Sequence, residues 1–132
     1  MLLSYEQELT AAGGQLMNAI DANAEYGSKP FDLMAAGVNP AVGEPLVMVV
    51  QVDDANSNVG TSYDLELVTD TDGAGAGEVS VGKKTVLVAA LLLHSLHYVP
   101  VDPALITKQY LTFKCTTHGA TPTTGNHKVW LQ

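Results

Sequence analysis

The segment from Gly43 to Asp54, G-E-P-L-V-M-V-V-Q-V-D-D, is the most apolar and most β-branched in the chain. In an extended strand alternate side chains point to opposite faces. Leu46, Met48, Val50 and Val52 therefore share one side, and Val47, Val49, Gln51 and Asp53 the other. The second side is apolar at first and turns polar at Gln51, which predicts a strand covered on both sides near its start and on one side near its end. Pro45 stands at the entry, where a missing N–H costs least, and the two aspartates close the run. The segment is expected to be the central strand of a sheet around which the other strands are arranged.

The rest of the chain supplies short partners for it. Tyr63, Leu65 and Leu67 alternate with Asp64 and Glu66, the pattern of a strand with one wet face. Gln109 to Thr117 repeats the alternation, with Leu111, Phe113 and Cys115 inward and Thr112, Lys114 and Thr116 outward. A last strand over 127–131 sets His127, Val129 and Leu131 against Lys128 and Trp130. His97 to Val101 reads as a short strand stopped by Pro100 and Pro103. Val79 to Leu93 holds one or two strands, and the length and flanks of V-L-V-A-A-L-L-L favour a buried strand over a helix. Leu16 to Ala24 is a weak strand. Between these lie Phe31–Gly43, Ala55–Gly60, Asp70–Gly77 and His118–Asn126, whose Gly, Pro, Asn and Thr content marks loops and turns. About eight short strands without βαβ spacing predict an all-β, antiparallel sandwich with a jelly-roll arrangement.

At 132 residues the chain is expected to be one domain with a real core. Residues 1–30 are read as either a loosely patterned first strand or an arm, with Leu2, Leu3 and Tyr5 as interface candidates at its start. Apolar residues are 46% and charged ones 15%, which is too apolar for a disordered chain and too lightly charged for a coiled coil. The net charge is −8, and the six basic residues are all lysine. That balance argues against nucleic-acid binding, which needs a basic face to displace counterions. A lone cysteine, Cys115, excludes an internal disulfide and reads as a small buried hydrophobe. No apolar run reaches a membrane-spanning length, and the first residues lack the pattern of a secretory leader. The protein is expected to be made and kept in a cytosol, or in a particle assembled there, with no membrane partner.

Candidate chemistry is weak. Gly77 to Thr85, G-E-V-S-V-G-K-K-T, approaches a phosphate-binding loop but has Lys84 where a Ser or Thr should hold magnesium. A turn at Gly82 with solvated lysines is the preferred reading. Asp70, Asp72 and Glu78 resemble part of a calcium loop, but Ala74 stands at the third ligand position and the Glu comes too early. His94, His97, His118 and His127 with Cys115 match no closed zinc site, and no nucleophile elbow is present. Neither a catalytic set nor a cofactor is expected. Trp130 points away from Val129 and Leu131, so it is expected to lie outside the core and pack on a neighbouring subunit.

Three stretches resemble the capsid cement, or decoration, proteins of tailed phages, a family typified by the cement protein of a short-tailed Bordetella phage. They are G-E-P-L-V-M-V-V-Q-V-D at Gly43–Asp53, Y-V-P-V-D-P at Tyr98–Pro103 followed by K-Q-Y-L-T-F at Lys108–Phe113, and a C-terminal strand ending almost at the last residue. The resemblance covers most of the chain from Phe31 onward, and the first stretch is its most specific part. The D-T-D-G-A-G-A-G loop and the first thirty residues depart from it. What it implies is a jelly-roll virion protein on the outer surface of the head, a homodimer or homotrimer bound to the major capsid protein. It implies no catalysis. The rival reading is a carbohydrate- or ligand-binding jelly-roll module of a tail or host-attachment apparatus, favoured if several aromatics are exposed on one sheet. A small cupin-like enzyme would need a histidine cluster that the spacing does not provide.

Overall fold

In the computed structural model the described residues are 7–9, 15–16, 25–27, 29–36, 46–52, 62–119 and 126–132. The strands are β1 (Gln7–Glu8), β2 (Gln15–Leu16), β3 (Glu25–Tyr26), β4 (Phe31–Asp32), β5 (Leu46–Val52), β6 (Ser62–Asp70), β7 (Val79–Leu87), β8 (Leu96–Val101), β9 (Tyr110–His118) and β10 (Asn126–Leu131). Apart from one helical turn, Leu33–Ala36, and two 3-10 turns, Val88–Ala90 and Pro103–Leu105, the described regular structure is β.

The strands form two antiparallel sheets. Sheet I runs β1-β10-β5-β8, with β2 also paired to β10; sheet II runs β3-β9-β6-β7, with β4 also paired to β9. The segment that dominates the sequence is thus an interior strand, β5, between β10 and β8. Its alternation holds: Leu46, Met48, Val50 and Val52 are buried, while Val47 and Gln51 on the other side are half-exposed. Val49, on that other side, is 1% exposed and stands outside the core cluster.

The core lies between the sheets. Sheet I contributes Leu46, Met48, Val50, Val52, Val99, Val101, Val129 and Leu131. Sheet II contributes Tyr63, Leu65, Leu67, Val86, Leu111, Phe113 and Cys115. Each is the inward member of an alternating pair, so the period of two in the sequence is the direct cause of the layer. Cys115 is a buried thiol.

Several local expectations are corrected. Phe31–Asp32 is a strand and Leu33–Ala36 a helical turn, in a stretch read as loop. The run after Val86 does not continue as a buried strand. β7 ends at Leu87, the chain makes a 3-10 turn, and Leu92 and Leu93 are exposed. His94, at φ 65°, closes the following turn and donates its N–H to the Val52 carbonyl at 2.7 Å. Pro100 does not stop β8 but sits within it, opposite Val47. This is tolerated because β8 is an edge strand. Gly82 is not at a turn: it lies within β7, beside a register shift at Leu67/Val68. There the backbone approaches Pro100 so closely that a Cβ would stand 2.5 Å from the Pro100 carbonyl oxygen. Thr112, expected outward, is fully buried under the Asp70 loop. The weak strand expected over 16–24 is represented by Leu16 at the end of β2, the rest of it lying outside the described residues. Leu2, Leu3 and Tyr5 also lie outside them.

Candidate interaction surfaces

The outward sides of the two sheets differ in chemistry. In sheet I, pairing aligns Trp130 with Val49 and Val49 with Tyr98; the adjacent rows are Lys128–Gln51–Leu96 and Val47–Pro100. Directly opposed residues of antiparallel strands share a face. The outer side of sheet I therefore carries Trp130, Val49, Val47, Leu96, Tyr98 and Pro100, together with Gln51 and Lys128, and Glu8 of β1 pairs opposite Trp130. Tyr98 is 50% exposed and Trp130 is half-exposed. Trp130 thus lies outside the core, as its position in the alternation predicts. Its indole N–H points to Gln132 Oε1 at 3.4 Å.

Sheet II turns a charged lattice outward. Asp64 accepts from Thr85 Oγ1 at 2.7 Å and from His118 Nε2 at 2.8 Å, with Lys83 Nζ at 3.6 Å. Burial pushes the Asp64 carboxyl up, but the bonds from His118 and Thr85 and the Lys83 charge outweigh it and hold the group below the usual range. Lys114 reaches Glu66 at 3.9 Å and bonds Glu78 more closely. The Tyr26 hydroxyl donates to Glu78 Oε2 at 2.8 Å; burial, reinforced by that bond, pushes its pKa up to about 12.

The loop over 71–78 is ordered by its own carboxylates. Asp70, fully buried, accepts from the N–H of Gly73 at 3.0 Å and of Gly75 at 2.8 Å, and from Thr112 Oγ1 at 3.1 Å. Asp72 Oδ1 accepts from the N–H groups of Ala74 and Ala76. Gly73, Gly75 and Gly77 all have positive φ, which explains the glycine spacing. The acidic residues read as partial cation ligands are thus engaged by amides, and Glu78 by Lys114 and Tyr26. Among the described residues no group of three or more His, Cys, Asp or Glu could hold a metal ion.

The histidines are dispersed. His94 is exposed, His118 belongs to the Asp64 cluster, and His97 Nε2 lies 3.0 Å from Ser95 Oγ. His127 is fully buried, with no hydrogen-bond partner for either ring nitrogen among the described residues, and its ring meets Tyr63 edge-on. The four do not converge.

One surface escaped the sequence reading. Leu87, Leu92, Leu93, Leu96 and Tyr98 are all large, apolar and at least 44% exposed. Together they mark the end of β7, the connection and the start of β8. The signal was in the sequence: from Val86 to Val101 there is no Asp, Glu, Lys or Arg.

These features define the class: an all-β, antiparallel two-sheet sandwich with one apolar and one charged outer face. No protein-family model and no curated protein matches the chain. No helix among the described residues is long and apolar enough to cross a membrane.

Proposed function

We propose that this protein is a virion structural protein, a capsid cement subunit that binds the outside of a phage head and braces contacts between major capsid protein subunits. The observation that carries the reading is the asymmetry of the two outer faces. A brace needs a surface that closes on neighbours and another that stays in water, and it needs no catalytic pocket. Sheet I, with Trp130, Leu96 and Tyr98, has the composition of the first kind, in which aromatics are enriched and charge is depleted. Sheet II, with its Asp64, Glu66, Lys83, Lys114 and Glu78 lattice, has that of the second.

The jelly-roll form of the sandwich belongs to the same reading. It is supported by the orders β1-β10-β5-β8 and β3-β9-β6-β7. With β1–β2 and β3–β4 each taken as one interrupted strand, these orders give two sheets whose consecutive strands alternate between layers, except at the β6–β7 hairpin. The net charge of −8 keeps such a subunit away from packaged nucleic acid and favours basic patches on the shell. Synthesis in the host cytoplasm, assembly as a homodimer or homotrimer and the absence of enzymatic activity are parts of the proposal.

Heads purified with and without the protein test it. Heads carrying it should withstand heat and low salt better than heads lacking it; equal survival would refute clamping. The rival reading, a carbohydrate-binding module of a tail or host-attachment apparatus, gains support from Tyr98 and Trp130 lying on either side of the buried Val49 on the outer side of sheet I. Specific, saturable binding on a glycan array, lost with Tyr98→Ala, would favour it.

A further inference from the structure

The exposed edge of sheet I has a property that its apolar character alone does not explain. Val47 exchanges backbone bonds with Gln132, at 2.9 and 3.0 Å, so its N–H and C=O point toward the C-terminal strand. By alternation Leu46, Met48, Val50 and Val52 point toward β8, and Val52 donates to the Ser95 carbonyl. In β8 the partners of those residues, His97, Val99 and Val101, therefore face β5. Leu96, Tyr98 and Pro100 turn their backbone groups to the outer edge. Beyond Pro100 that edge is closed by β7, where Asp102 N–H donates to the Val81 carbonyl at 2.9 Å. Pro100 itself has no N–H. The open part of the edge is thus a short one: the N–H and C=O of Leu96 and of Tyr98, which have no backbone partner among the described residues.

We infer that this edge is a self-association site, at which a second copy of this chain adds its own β8 antiparallel across a two-fold axis. Electrostatics selects this occupant. Copies of a chain with net charge −8 repel one another over most of their surface. The stretch Val86–Val101 carries no charged residue, so two copies meet there without opposing like charges. An anionic lipid surface finds no lysine in the same stretch to hold it. Hydrogen bonding selects the register. Placing Leu96 opposite the partner's Tyr98 pairs every open donor with an open acceptor and sets His97 beside its own copy on the axis. Shifting by one pair, with Tyr98 on the axis, places Leu96 opposite the partner's Pro100, which has no donor to return. The favoured register also puts Leu96 and the partner's Tyr98 side by side on the outer face, where both are exposed in one copy. The contact is isologous and closes on itself. This deepens the proposed function and rests on it for its role in the head.

Analytical ultracentrifugation of the full chain tests the contact. The wild type should sediment as a dimer. Tyr98→Pro, which removes a donor only from the open edge, and Leu96→Lys, which brings like charges together, should both halve the sedimenting mass. Ser80→Lys, an exposed position on β7, should leave it unchanged. Circular dichroism melts of each variant verify folding. The double variant Leu96→Cys/Tyr98→Cys should form a covalent dimer on oxidation, and neither single variant should. A monomeric wild type, folded Tyr98→Pro and Leu96→Lys variants that remain dimeric, or cross-linking by Tyr98→Cys alone would overturn the inference. Attachment to heads is assayed separately. A dimer that fails to attach would refute the proposed function and leave this contact standing, and a monomer that attaches would do the reverse.

Discussion

Tyr63 and His127 meet edge-on inside the sandwich, ring centroids 5.7 Å apart and planes inclined at 64°. The contact joins the two sheets, since Tyr63 lies on β6 and His127 on β10. It also buries an imidazole whose ring nitrogens have no hydrogen-bond partner among the described residues. Burial, and to a lesser degree the nearby His97, pulls the His127 pKa down from 6.5 to about 4.

The first prediction follows from that depression. The unfolded chain takes up a proton at His127 near pH 6.5, whereas the folded chain resists until about pH 4. Stability from this group is therefore full above pH 6.5 and is lost as pH falls toward 4, by about 3 kcal/mol at about 1.4 kcal/mol per pH unit. His97, also held low by burial and the Lys84 charge, adds in the same direction. His127→Leu should flatten the loss measured by urea unfolding between pH 7 and pH 4. It should not lower stability at pH 7, because it removes unsatisfied buried nitrogens. An unchanged pH slope would show that another group carries the acid sensitivity.

Asp70 anchors the β6–β7 loop through three hydrogen bonds, two of them to glycine amides. Asp70→Ala leaves those donors without their acceptor and should cost about 2–3 kcal/mol in chemical unfolding; Asp70→Asn, which keeps one acceptor, should cost less. The same engagement predicts that neither calcium nor a chelator changes the Tm of the isolated protein. A calcium-dependent rise in Tm would mean that the loop carboxylates rearrange to bind the ion.

Gly82 lets β7 pass against β8. An added Cβ would stand 2.5 Å from the Pro100 carbonyl oxygen and 3.4 Å from the Val101 Cα. Both neighbours are backbone, so Gly82→Ala must push the strands apart and should cost about 1–3 kcal/mol, the usual penalty of overpacking. Amide exchange at Asp102, which bonds Val81, should accelerate more than exchange in β10.

Tyr26 donates to Glu78 and is partly covered, which raises its pKa to about 12. Spectrophotometric titration should show a late-ionising fraction to which Tyr26 contributes. Glu78→Gln, which removes the negative acceptor, should bring that fraction back toward the ordinary range.

Much of the fold was legible in the alternation of side chains. β5, β6, β9 and β10 were readable because each buries one face, so Leu46–Val52, Tyr63–Leu67, Leu111–Cys115 and His127–Leu131 carry a period of two. The signal failed where burial did not follow alternation. Val88–Ala90 has strand composition but turns, because the chain must cross from sheet II to sheet I there. Pro100 resembled a stop, yet an edge strand tolerates it. Gly82 resembled a turn, yet its missing side chain admits Pro100 from another strand, a long-range demand that no local pattern encodes. The position of Trp130 outside the core was legible from its alternation with Val129 and Leu131. The exposure of Leu92, Leu93, Leu96 and Tyr98 was signalled only by the uncharged run from Val86 to Val101, since apolar residues read as core until the sheet edges are known.

The central claim is that this sandwich braces a phage head with sheet I turned toward its neighbours. An electron cryomicroscopy map of the assembled particle measures this directly. The account predicts density for the sandwich on the outer head surface, with Tyr98 and Trp130 against protein and the Asp64–Lys83–His118 cluster facing solvent. Density in the tail instead, or a head-bound subunit with sheet II against the shell and sheet I open to water, would contradict it.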